Sequence, residues 1–104
     1  MNDSPKKLIR DGKVAVIYSP GFGAGWSTWN TDCPDCDTNA ELAQCILDGG
    51  DREAIARKHY PEAYFGGLDN AEIEWLPEGT NYRIDEYDGS ESIEVEHHVK
   101  WKVA

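Results

Sequence analysis

The residues with the most distinctive types and spacing form a glycine-rich loop with the pattern Gly21-x-Gly23-x-Gly25. The loop follows an apolar run, as phosphate-binding loops do. Its spacing is not G-x-G-x-x-G, however, and no Lys-Ser or Lys-Thr pair follows it. One interpretation is a site for a small ligand such as a nucleotide, formed by these three glycines and Trp26.

The aromatic residues of the same segment allow two other interpretations. Phe22, Trp26 and Trp29 either fill the core around a tight loop or lie exposed as anchors for a protein partner. Buried Trp and Tyr side chains supply much of the energy of protein interfaces. Our leading prediction assigns these three residues to partner binding, and the ligand site is the alternative.

Three cysteines are the candidate metal or redox residues. Cys33 and Cys36 form a CxxC pair, and Cys45 with His97 or His98 would complete a zinc site. No second CxxC and no spaced His pair is present. We therefore expect loop thiols without metal or cofactor, and a zinc module on the three cysteines is an alternative. An odd cysteine number without an apolar leader indicates a reducing cytoplasm.

The sequence favours a binding protein over an enzyme. No G-x-S-x-G, H-E-x-x-H or H-x-E pattern occurs among its nucleophiles and bases. Paired carboxylates are frequent because 20 of the 104 residues are acidic, so composition alone explains them. We assign no catalytic residue.

The negative charge of the chain is concentrated in its second half. The formal net charge is −10, which disfavours direct binding to the phosphates of nucleic acids. Residues 69–96 hold ten acidic residues and one Arg. Strand parity predicts that four of the acids share one sheet face: Glu72, Glu74, Asp85 and Glu94. Such a face would attract a basic partner, for example as a nucleic-acid mimic. The other interpretation is a solvated face that nearby basic residues partly neutralise.

Hydrophobic periodicity predicts the elements of the first half of the chain. Residues 14–18 read as a buried strand, preceded by a hairpin around Asp11-Gly12. Thr38 and Glu41 have the spacing of a capping box at the start of a helix. A second helix is predicted over 52–60, with Asp51 as its cap.

From residue 72 onward, the period changes to 2 and predicts a four-stranded antiparallel meander whose last strand covers 99–103. A two-residue turn at Asp88-Gly89 sets its central register and pairs apolar with apolar residues. The same register opposes Glu86 and Glu91. We expect these two carboxylates to splay into water, or to bind a cation or a basic residue of a partner.

Together these elements predict an α+β fold in a single domain over residues 1–104. One or two N-terminal strands, two short helices and the meander would share one core. No apolar run approaches the length of a membrane span, so we expect no membrane contact. Exposed edge strands would allow a homodimer.

Five segments resemble small acidic proteins of tailed bacteriophages. They are KVAVIYSPGFGAGW at 13–26, YP at 60–61 with GGLD at 66–69, IEWLPEGT at 73–80 and YRIDEYDGS at 82–90. The resemblance brings no catalytic residue with it. It implies a context in which compact acidic proteins bind and disable a host or defence protein. The function predicted is therefore that of a cytoplasmic interaction protein that inhibits or redirects such a protein.

Overall fold

The structure, a computed structural model, describes residues 6–96 and contains two helices and two antiparallel sheets. The α+β class predicted from the sequence is confirmed. The strands are β1 (Ile9–Arg10), β2 (Lys13–Tyr18), β3 (Glu72–Pro77), β4 (Tyr82–Tyr87) and β5 (Ser90–Val95). The helices are α1 (Ala40–Asp48) and α2 (Arg52–His59), with short 3-10 turns at Ser27–Trp29 and Leu68–Asn70.

The first sheet has the order β1-β2-β3, with the predicted buried strand β2 at its centre. The hairpin between β1 and β2 turns at Asp11 and Gly12, whose φ angles are 53° and 76°. Two positive φ angles in a two-residue loop match the right-handed twist of the strands. One face of the sheet packs on the core cluster that includes Leu42 and Ala56 of the helices.

The second sheet is the hairpin of β4 and β5, and its register is the predicted one. Ile84 pairs with Ile93, Arg83 pairs with Glu94, and the turn residues Asp88 and Gly89 have φ angles of 50° and 84°. The strands predicted as one meander are divided, however, because β3 pairs with β2 and not with β4. The strand predicted at 99–103 lies outside the described residues.

Both helices begin at a polar side chain that accepts a hydrogen bond from their first turn. The cap of α1 is Asn39, whose Oδ1 accepts from the Leu42 N–H at 3.0 Å, so the prediction of Thr38 was wrong by one residue. Asp51 caps α2 as predicted and accepts from the Ala54 N–H at 3.1 Å. Within residues 6–96, neither helix has the length and apolar character that a membrane span requires.

Candidate interaction surface

A buried carboxylate fixes the glycine-rich loop to the second sheet. Glu91, in β5, is 2% exposed. Its Oε1 accepts the Ser19 N–H at 2.8 Å. Its Oε2 accepts the N–H groups of Trp26 at 2.8 Å and Thr28 at 3.0 Å, and the Thr28 hydroxyl at 2.6 Å. Four donors from one loop therefore take the place of water around a buried charge.

This arrangement corrects the expectation that Glu86 and Glu91 both splay into water. The two residues are paired as predicted, but only Glu86 is exposed. Glu86 accepts the Gly89 N–H at 2.6 Å and so supports the turn. The carboxylate of Glu91 is instead bound by the four donors of the loop.

Hydrogen bonds bring the loop and the turn of the β4–β5 hairpin together. The Gly23 N–H donates to the Asp88 carbonyl at 2.7 Å, and the Ser90 hydroxyl donates to the Pro20 carbonyl at 2.6 Å. A Cβ atom on Gly89 would overlap the amide nitrogen of Ala24. The glycine is therefore required both by its positive φ and by this close approach.

The structure separates the three aromatic residues that were predicted to bind a partner. Trp26 is fully buried, and its indole N–H donates to the Cys36 carbonyl at 2.7 Å. Its ring packs against Tyr60, so the assignment of Trp26 to partner binding was wrong. Phe22 and Trp29 are 70% and 42% exposed and remain available to a partner.

The four predicted surface acids lie on two different sheets. Glu72 and Glu74 are exposed on β3, opposite residues of β2. Asp85 and Glu94 lie on β4 and β5, where Arg83 forms an ion pair with Asp85 at 3.2 Å. The prediction of one shared sheet face was wrong, because β3 pairs with β2.

Two features of the loop disfavour the nucleotide site of the alternative interpretation. Its inward N–H groups, which a phosphate would require, bind Glu91 instead. Trp26 is inside the core and is not available for stacking on a base. Around it, Gly21 lies against Asn70, Gly23 has a φ of 100°, and a Cβ on Gly25 would meet the Thr28 hydroxyl. Close packing therefore requires Gly21 and Gly25, and the positive φ favours glycine at position 23.

The three cysteines are free thiols and do not come together with each other as a metal site. The Cys33 thiol donates to the Asn30 carbonyl at 3.2 Å, and Cys36 is fully buried. Burial raises the pKa of Cys33, Cys36 and Cys45, which keeps these thiols protonated at neutral pH. In the part of the chain that the structure describes, no three His, Cys, Asp or Glu residues are placed to hold a metal. His97 and His98 lie outside that part.

Asp37 and Tyr82 link the loop after the CxxC pair to β4. The Tyr82 hydroxyl donates to the Asp37 carboxylate at 2.6 Å, and the Asp37 carbonyl accepts the Ile17 N–H at 2.7 Å. Burial raises the pKa of the Asp37 carboxyl group above its ordinary value, although the Tyr82 hydroxyl acts in the opposite direction. The folded state is therefore less stable with Asp37 ionised than with Asp37 protonated.

We expect the free energy of unfolding of Asp37→Asn to increase relative to that of the wild type as the pH rises. Folding raises the pKa of Asp37 above the value in the unfolded chain, which is about 4 for Asp. Such a group contributes its full stabilisation below the unfolded pKa, and the contribution is lost as the pH rises through the folded pKa. The amide oxygen of the introduced asparagine can still accept from Tyr82. Urea unfolding at several pH values from acid to neutral measures the difference, with the exposed Asp69→Asn as control. A difference that does not change with pH would refute the expectation.

Two exposed aromatic side chains lie next to the contact between the loop and the hairpin turn. Tyr87 and Phe22 are 79% and 70% exposed, more than any other large hydrophobic residue of 6–96. Glu86 and Asp88 are exposed beside Tyr87. These four residues, Phe22, Glu86, Tyr87 and Asp88, are named the tip surface. Sequence analysis missed Tyr87, although strand parity places it on the face of Arg83 and Asp85, away from the core.

Comparisons with protein-family models, with curated proteins and with solved structures give no match to this chain. The resemblance to bacteriophage proteins stays a prediction. The proposed binding surface therefore depends on the geometry and charge of the described residues.

Proposed function

We propose that this protein is a small interaction module that binds a basic region of another protein through the tip surface. The observation that carries the proposal is the pair of highly exposed aromatic side chains, Phe22 and Tyr87, on two segments that are hydrogen-bonded to each other. Single exposed apolar residues are common on soluble proteins and need no explanation. Two aromatic residues on adjoining segments with an acidic rim are typical of an interface with aromatic anchors.

The rigidity of the tip surface supports this proposal. Glu91 holds the loop through four hydrogen bonds, and the Gly23–Asp88 contact joins the loop to the turn. Binding loses affinity when flexible loops must be ordered at the interface. A loop that is already fixed presents Phe22 without that loss.

The charge of the surface indicates the chemistry of the partner. Of the ten acidic residues in 69–96, only Glu91 is buried. The other nine lie at the surface, and Arg83 is the one basic residue of this segment. Their field would attract a basic partner and speed its association at low ionic strength. The pairs Glu72 with Glu74 and Asp85 with Glu94 would contribute to this attraction from two sheets.

The proposal extends to the biological role that the sequence predicts. The partner would be a host or defence protein in the cytoplasm of a bacterium, and binding would inhibit or redirect it. A nucleic-acid-binding protein fits this description, since its basic groove complements an acidic surface. The module would then act as a mimic without binding nucleic acid itself.

Capture from bacterial lysates tests this function. We expect the immobilised protein to retain a stoichiometric partner at low salt and to lose it at high salt. The variant with Phe22→Ser and Tyr87→Ser should retain much less, because it removes both anchors. A control with Ile9→Ser and Leu47→Ser, which changes two other exposed apolar residues, should behave as the wild type. Absence of a partner across several hosts, or equal retention by the tip variant, would contradict the proposal.

A further inference from the structure

A second exposed aromatic pair shares no residue with the tip surface. The rings of Trp29 and Tyr64 stack with their centroids 5.5 Å apart and an angle of 26° between planes. Trp29 is 42% exposed and Tyr64 is 51% exposed. Trp29 belongs to the 3-10 turn Ser27–Trp29, and Tyr64 lies in the loop after α2.

The side chain of Asn30 fixes the two loops to each other. Its amide nitrogen donates to the Tyr64 carbonyl at 2.9 Å and to the Trp26 carbonyl at 2.8 Å. Its oxygen accepts the Tyr64 N–H at 2.7 Å. Asn30 is only 9% exposed, and its bond to the Trp26 carbonyl is buried. The aromatic pair therefore has a defined position before any ligand arrives.

A cavity of about 410 Å³ lies beside this pair. Three aromatic residues, Trp29, Tyr60 and Tyr64, contribute to its lining together with the acidic residues Asp32 and Glu62. No Lys or Arg lines it. These five residues are named the aromatic cradle.

We propose that the aromatic cradle binds an arginine side chain of a partner protein. Aromatic faces attract cations, and a planar guanidinium both stacks on a ring and forms paired hydrogen bonds with a carboxylate. The negative and aromatic lining complements such a group in charge and in shape. A lysine ammonium fits less well because it is compact and more strongly hydrated.

The molecule uses the same chemistry internally at two other rings. The guanidinium of Arg57 lies 4.7 Å from the centroid of Phe65, and that of Arg10 lies 5.7 Å from the centroid of Trp75. Among the described residues, neither Trp29 nor Tyr64 has such a cation over its ring. An external arginine would therefore meet no internal competitor at Trp29 or Tyr64.

A titration followed by NMR tests the proposal with a blocked tripeptide, acetyl-Gly-Arg-Gly-amide. We expect a saturable shift of the Trp29 indole N–H signal and none of the Trp26 signal. The same peptide with citrulline, which is neutral and similar in shape, should bind about tenfold more weakly or not at all. No saturable shift, or equal binding of the citrulline peptide, would overturn the proposal.

Variants separate the cradle from the tip surface. Trp29→Leu should abolish binding of the arginine peptide, and Glu62→Gln should weaken it several-fold with little risk to the fold, because Glu62 is exposed. The tip variant with Phe22→Ser and Tyr87→Ser should bind the peptide as the wild type does. Unchanged affinity in both Trp29→Leu and Glu62→Gln would overturn the assignment to the cradle. The result is independent of whether the tip surface binds a partner.

Discussion

Glu91→Ala is expected to lower the free energy of unfolding by about 3–5 kcal/mol, a large share of the total for a domain of this size. The substitution removes one carboxylate but leaves three backbone N–H groups and the Thr28 hydroxyl without their acceptor. Each buried donor left unpaired costs about 1–3 kcal/mol, and water that enters the space recovers part of the loss. Urea unfolding measures the change.

Two controls make the Glu91 experiment specific. Glu86→Ala removes the opposite, exposed carboxylate and is expected to have a much smaller effect, since it leaves only the Gly89 N–H without an acceptor, against four donors at Glu91. Adding formate or acetate should raise the unfolding midpoint of Glu91→Ala more than that of the wild type, because the vacated amides can bind an anion. Equal destabilisation by Glu86→Ala and Glu91→Ala, without rescue, would show that the buried network does not hold the loop.

Trp26→Ala is expected to lower the free energy of unfolding by about 3–5 kcal/mol, because it empties the centre of the core and removes the hydrogen bond to Cys36. Trp29→Ala is the matched control, since the same residue type lies three positions later on the same segment. Its ring is 42% exposed and stacks on Tyr64, so we expect a loss of about 1 kcal/mol.

Chemical denaturation of both tryptophan variants, followed by far-UV circular dichroism, makes this comparison. The contrast tests whether Trp26 is a core residue or a partner-binding residue. The sequence prediction assigned it to partner binding, which was wrong. Similar losses in the two variants would contradict the structure. A small loss at Trp26 and a large one at Trp29 would contradict it even more strongly.

Local patterns allowed much of the fold to be predicted. Both Asp-Gly turns fixed their hairpins because the turn conformation depends on residues within the turn itself. The register of β4 and β5 followed from the turn, and Asp51 was recognised as a helix cap from its type alone. The cap of α1 was misplaced because Thr38 and Asn39 are both good caps, and the backbone at Asn39 has the extended conformation that a cap requires.

The remaining features depend on contacts between distant parts of the chain. The partner of β3 is a strand more than fifty residues earlier, which alternation within residues 72–95 does not reveal. The like charges at Glu86 and Glu91 marked an unusual position. The N–H donors that bind the Glu91 carboxylate, however, lie 72 and 65 residues away, at Ser19 and Trp26. Composition likewise did not distinguish the buried Trp26 from the exposed Phe22 of the same loop.

The affinity of the captured partner for the tip surface is the measurement that bears most directly on the proposed function. Calorimetric titration would compare the wild type, the variant with Phe22→Ser and Tyr87→Ser, and the control with Ile9→Ser and Leu47→Ser. We predict that the tip variant raises Kd about a hundredfold or more while its fold and thermal stability stay those of the wild type. The control should leave Kd unchanged. A tip variant that binds the partner as tightly as the wild type would contradict the assignment of Phe22 and Tyr87 as anchors.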